Sequence, residues 1–230
     1  MRVGRAIALG LAARGCHVAV TYRNSEKEAR ETVQAIRRFK VKGCALHADQ
    51  RDGSQVGAVI DDIVSQWGGV DILINNASSF YPTRWDTVTE EQWEDLISTN
   101  LTGPWRFAQR AGRLMKKQKQ GKIINILDVS IFSPWENYLP YCVAKGGLLT
   151  LTRGLAKVLA PEVQVNGIAP GPILFPKGMS EQEKRKATDQ TLLKRSGSSE
   201  DIVQTVLFFV EGSDFVTGTI LPVDGGRLLA

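Results

Sequence analysis

Residues 122–168, KIINILDVSIFSPWENYLPYCVAKGGLLTLTRGLAKVLAPEVQVNGI, contain the pattern that decides the fold. The apolar run 122–127 reads as a buried strand, the stretch 141–160 as a helix, and 163–168 as a second buried strand. Two strands joined through a helix lie parallel, since a parallel pair needs a long crossover, and the helix then covers one face of the sheet. Outward from this unit, apolar runs at 17–22, 44–48, 71–75 and 220–223 alternate with helical patterns in the same way. The expected architecture is α/β, a doubly wound parallel sheet with helices on both faces.

Helix starts are marked by Ser25 with Glu28, Thr89 with Gln92 and Ser180 with Glu183, each a capping-box pair, and Gly15 and Gly212 fit helix stops. No repeat or Pro/Ser-rich linker divides the chain, so residues 1–230 are expected to form one domain. The stretch 170–196 is the longest without strand character and reads as a lid over a site, with a short helix capped by Ser180 inside it.

Composition narrows the function classes. A hydrophobic fraction of 43% and a charged fraction of 23% belong to an ordinary soluble domain. No apolar run approaches a membrane span and no signal-peptide pattern opens the chain, which points to the cytoplasm and away from a membrane partner. Two histidines and three dispersed cysteines offer no first shell for a metal. The net charge of +5 is scattered apart from Lys116, Lys117, Lys119 and Lys122, which reads as a solvated face, so no nucleic-acid partner is expected.

The chemistry gathers at strand ends. Tyr141 and Lys145 share one helix face, and an ammonium beside a phenol favours the phenolate. Asp128 follows the apolar run 122–127, at the carboxyl end of a strand, where open parallel sheets put their ligand crevice. There it either caps a turn or shares a proton with Tyr141. Asn100 lies on an apolar helical stripe, and Pro104 cannot donate to its carbonyl, which leaves that oxygen for a water or a simple kink. Asn75, Asn76, Ala77 and Ser78 leave room for a cofactor, and Phe80 beside them is either core or a stacking surface. After the strand 17–22 come Arg23, Asn24 and Ser25, where dinucleotide folds usually carry an acid; an arginine there favours a 2′-phosphate and therefore NADP(H).

Together YCVAK at 141–145, NNA at 75–77, Asn100, NGIAPG at 166–171 and TGTILPVDGG at 217–226 resemble the short-chain dehydrogenase/reductase superfamily, whose fold is a Rossmann-type sheet. Within it, NNASSFYPT at 75–83, Asp128 and RVGR at 2–5 look like the pteridine reductases and the bacterial dihydromonapterin reductases. The resemblance implies that Tyr141 with Asp128 supplies a proton, that Lys145 holds the nicotinamide ribose and acidifies Tyr141, and that Asn100 completes the catalytic set. It implies further that Phe80 stacks on a pterin, with Ser78 and Tyr141 also at the substrate. Arg2, Gly4, Ser78, Asp49, Asn76, Ala77, Pro170, Gly171 and Ile173 would line the cofactor. The implied assembly is a homotetramer.

Members of the superfamily begin with a strand and a TGxxxRxG loop, whereas this sequence begins inside that loop. The resemblance therefore implies a natural chain starting upstream of Met1; without that strand, two sheet edges are expected to be unpaired and the phosphate cradle half present.

The expected reaction is hydride transfer from NADPH to the C=N bond of a dihydropterin, with dihydrofolate a further substrate of such enzymes. The alternative is a short-chain carbonyl reductase acting on a ketone, a sugar or a 3-oxoacyl substrate, which gains from a neutral donor at 128 and needs no stacking ring. A non-catalytic dinucleotide-binding protein is the second alternative.

Overall fold

In the computed structural model, which describes residues 3–175 and 178–230, the apolar runs pair as six parallel strands. Strand β1 (Val18–Tyr22) pairs with β2 (Gly43–His47), and β3 (Ile72–Asn75), β4 (Gly121–Ile126), β5 (Val163–Pro170) and β6 (Ile220–Val223) pair in that order. Register runs from Val18 opposite Gly43, Ile72 opposite Lys122, Gly121 opposite Val163 and Gly167 opposite Ile220. Helices connect the strands: α1 (Val3–Ala13), α2 (Glu26–Arg37), α3 (Gly53–Trp67), α4 (Glu90–Ile97), α5 (Gly103–Gln118), α6 (Leu139–Leu159), α7 (Glu181–Asp189) and α8 (Ser199–Glu211).

The sheet is split. β1 and β3 do not pair, so each presents one row of backbone N–H and C=O groups to a cavity of about 460 Å3 between them. Leu11 of α1 and Val59, Ile60 and Ile63 of α3 close that slot. Among the described residues no strand precedes α1, and Gly4, expected in a loop, lies in the helix's first turn.

The pleat sorts the core. Ile123 and Val165 face α3, α5 and α6, whereas Ile124, Ile126 and Ile168 face α1 and α8, so successive residues of β4 feed opposite layers. Close helix packing needs small residues: a Cβ at Gly10 of α1 would lie 2.5 Å from Val203 Cγ1 on α8. A chain of buried amides crosses the sheet, with Asn75 Nδ2 donating to Asn125 Oδ1 at 2.8 Å and Asn125 Nδ2 to Thr152 Oγ1 at 2.8 Å.

Thr89–Gln92 and Ser180–Glu183 form capping boxes, as does Ser198–Asp201. Ser25 makes no side-chain cap; its backbone turns away from extended geometry, with ψ of 54°, and its hydroxyl misses the helix amides. Pro104 does not kink a helix at Asn100. A π-helical turn, Ser98–Thr102, joins α4 to α5 and absorbs the change, with Pro104 in the first turn of α5. The stretch after β5 does contain α7, capped by Ser180. The strands run parallel within each sheet, and residues following the carboxyl ends of β1, β2 and β3 line one groove, so strand ends of both sheets share one rim of the molecule.

Candidate active site

Tyr141 enters at the first turn of α6 and Lys145 one turn later; both are buried on the stripe that continues through Leu148 and Thr152. Asp128, just past β4, caps a short 3-10 turn, its Oδ1 accepting from the Ser130 amide at 2.8 Å. Its other oxygen accepts the Tyr141 hydroxyl at 3.1 Å. Capping and proton sharing are thus simultaneous, one oxygen each. Lys145 Nζ donates to the Ile126 carbonyl at 2.8 Å and lies 5.7 Å from the Tyr141 ring centroid.

Burial dominates the electrostatics. It raises the Asp128 pKa, against the pull of the Ser130 amide and the Lys145 charge. Tyr141 rises well above the ordinary phenol range, first through burial and then through Asp128. Lys145 falls to about 8, because the buried ammonium loses its hydration. The expectation that Lys145 acidifies Tyr141 fails in this arrangement, since desolvation outweighs the distant ammonium and the nearer charge is a carboxylate. The phenol is held protonated, poised to give a proton.

Asn100 is completely buried in the π-turn, its carboxamide donating to the carbonyls of Leu96 and Ser79 at 2.9 Å each. Ser78 Oγ donates to Asn100 Oδ1 at 2.5 Å. Phe80 packs against Tyr138 face to face, centroids 4.6 Å apart at 5°, and edge-on to Tyr141 at 4.9 Å. Trp135 completes this cluster, so the ring expected to receive a flat substrate already stacks on a neighbour.

A groove of about 520 Å3 runs along the same rim, lined by Gly4, Arg23, Asn24, Ser25, Asp49, Asn76, Ala77 and Ser78. Gly4 sits at the amino end of α1, whose dipole favours an anion there, and a Cβ at Gly4 would lie 2.6 Å from Asn76 Nδ2. An elongated, phosphate-bearing molecule suits this floor. Asp49 is gripped by Arg51 at 2.6 Å, which lowers its pKa, while Arg23 stands 4.0 Å away. Pro170 ends β5. Gly171 donates to the Val223 carbonyl at 3.0 Å, and a Cβ there would meet Asp224 Cα at 2.7 Å, so the glycine permits two strand ends to approach. Ile173 lines a separate cavity of about 440 Å3 with Leu192 and Val223. Arg2 lies outside the described residues.

Three site residues escape a reading by motif: Gln50, Trp135 and Tyr138. Gln50 follows a strand end, the same signal that marked Asp128, whereas the two aromatics reach the site only because 132–138 folds back over Tyr141. Among the described residues no cluster of three His, Cys, Asp or Glu could hold a metal ion, and no helix is long and apolar enough to cross a membrane.

The family model described as "Enoyl-(Acyl carrier protein) reductase" matches residues 2–227. A 3-oxoacyl-[acyl-carrier-protein] reductase FabG of Staphylococcus aureus is 35% identical, the alignment covering 99% of this chain and 94% of the relative. The 3beta-hydroxysteroid dehydrogenase 1 of Eggerthella lenta is 34% identical over 99% of this chain and 90% of its own length. The crystal structure of acetoin dehydrogenase YohF from Salmonella typhimurium superposes with a TM-score of 0.90 at 31% identity, covering 100% of this chain and 94% of that one. These relatives overturn the dihydropterin reading: their names are those of carbonyl and hydroxyl chemistry, not of C=N reduction.

Proposed function

We propose, from the premise that this chain belongs to the short-chain dehydrogenase/reductase superfamily, that it reduces the carbonyl of a ketone or 3-oxoacyl substrate with NADPH. The observation that carries this reading is the Tyr141 phenol, kept protonated by burial and held 3.1 Å from Asp128 at the strand-end rim. The bound dinucleotide would supply the hydride to the carbonyl carbon. Tyr141 donates its proton to the carbonyl oxygen, and Asp128, which accepts the phenol's hydrogen bond at 3.1 Å, orients the hydroxyl. Ser78, bonded to Asn100, lines the cofactor groove.

NADPH rather than NADH is favoured by Arg23, whose nearest acid, Asp49, is neutralised more closely by Arg51. The working compartment in this reading is the cytoplasm and the assembly a homotetramer, for which exposed Trp105, Val143 and Val158 on α5 and α6 supply apolar surface; light scattering tests it.

The reaction is tested by following NADPH oxidation with an acetoacetyl thioester, an acyloin, its diketone and a cyclic ketone. Turnover of one of these, lost in Tyr141→Phe, supports the reading. NADPH binding with no carbonyl turned over refutes it.

A further inference from the structure

Gln50, half-buried at the turn after β2, lines both the dinucleotide groove and the slot between β1 and β3. Its carboxamide nitrogen donates to two carbonyls on different elements, Thr99 O at 2.5 Å and Ala77 O at 3.3 Å. Each carbonyl belongs to a planar peptide unit whose other end is a site residue: Thr99 O shares its plane with the Asn100 nitrogen, and Ala77 O with that of Ser78. Asn100 and Ser78 are the two residues bonded to each other at 2.5 Å, and Ser79, next in the loop, accepts from Asn100 Nδ2 at 2.9 Å. One amide thus orients the peptide planes that enter both members of the pair.

The turn carrying Gln50 is itself braced. Asp49 N donates to Gln55 Oε1 at 2.9 Å, Asp52 caps α3, and Arg51 spans Asp49 and Asp95 at 2.6 and 2.7 Å. Room for the side chain exists only because residue 103 is glycine; a Cβ there would lie 2.6 Å from Gln50 Cγ. A fixed turn, a two-pronged donor and a reserved space together describe a clamp.

We infer that Gln50 is a positioning residue, which locks the π-turn bearing Asn100 to the loop bearing Ser78 and thereby fixes the loop whose Phe80 packs edge-on against Tyr141. The inference rests on the carbonyl-reductase reading for its catalytic consequence, but the clamp also shapes the groove. It needs an N–H donor, not merely a side chain of this size, because both partners are carbonyl oxygens.

Gln50→Glu and Gln50→Leu keep the volume and separate donor from bulk. At neutral pH, Gln50→Leu should lower kcat about tenfold with KM for the carbonyl changed less than about threefold, the loss of one or two hydrogen bonds. Gln50→Glu should be worse, since a carboxylate faces two carbonyls. Its activity relative to the natural chain should recover as pH falls and the protonated carboxyl regains an O–H donor, whereas the ratio for Gln50→Leu stays flat. NADPH affinity of Gln50→Glu, read by fluorescence, should show the same recovery without any substrate. Equal effects of the two variants at every pH, or none in either, would overturn the clamp. If the natural chain turns over no carbonyl, the functional reading fails while the pH-dependent NADPH titration still decides for or against Gln50.

Discussion

Arg23→Ala should separate the two nicotinamide dinucleotides, and the structure bounds the size of the effect. The Arg23 guanidinium lies 4.0 Å from Asp49 Oδ2 with 41% of its side chain exposed, and Asp49 is bound more tightly by Arg51. A unit charge 4 Å from a phosphate is worth about 1 kcal/mol in water and about 4 kcal/mol at an effective dielectric near 20. Half-exposure and the competing Asp49 place Arg23 toward the lower end, about 1.5–2 kcal/mol. That corresponds to roughly 10- to 30-fold in Kd for NADPH. NADH, which lacks the 2′-phosphate, should change less than about twofold. Fluorescence titration of both dinucleotides against both proteins measures the ratio directly, and repeating it at raised salt should shrink the NADPH advantage of the natural chain. The reasoning is refuted if the natural chain binds NADH as tightly as NADPH, or if Arg23→Ala weakens both alike.

Tyr141→Phe should cut kcat by roughly 10²- to 10⁴-fold, the usual worth of a positioned proton donor, with NADPH affinity unchanged within about twofold in the same titration. Lys145 titrates at about 8, so in a pH series kcat/KM should decline above that pH as its charge is lost; a flat profile to pH 9.5 would exclude the ammonium. Asp128, its folded pKa raised by burial, contributes stability below its unfolded pKa that is lost as pH rises through the folded value. Asp128→Asn removes that loss, so its melting temperature should gain on the natural chain between pH 4 and pH 8, and a gap that narrows instead counts against a raised carboxyl. Amides of Val18–Tyr22 and Ile72–Asn75 that face the slot should exchange hydrogen faster than those of β4, which is paired on both sides; equal protection would mean the slot is closed in solution.

Much of this was legible locally. A buried strand announces itself by a short apolar run, and five of the six runs needed their bounds moved by only one or two residues. The spacing of Tyr141 and Lys145 follows from the helix repeat, and Asp128, Asn76 and Arg23 were found by one rule, that residues just past strand ends face the crevice. Motif and spacing therefore determined the α/β class, the superfamily and the rim on which the chemistry sits.

What the tertiary structure alone decided concerns contacts between distant segments and the water they exclude. Ser25 has the right residue type for a cap, yet its backbone path denies the bond. Lys145 stands one turn from Tyr141, as spacing required, but the sign of the phenol's shift depended on burial and on Asp128, a strand away. Phe80 gained a stacking partner in Tyr138, and Gln50 gained a role from two carbonyls 27 and 49 residues further on. Periodicity is a property of neighbours along the chain, whereas dielectric, partner and free surface are set by what the fold brings alongside.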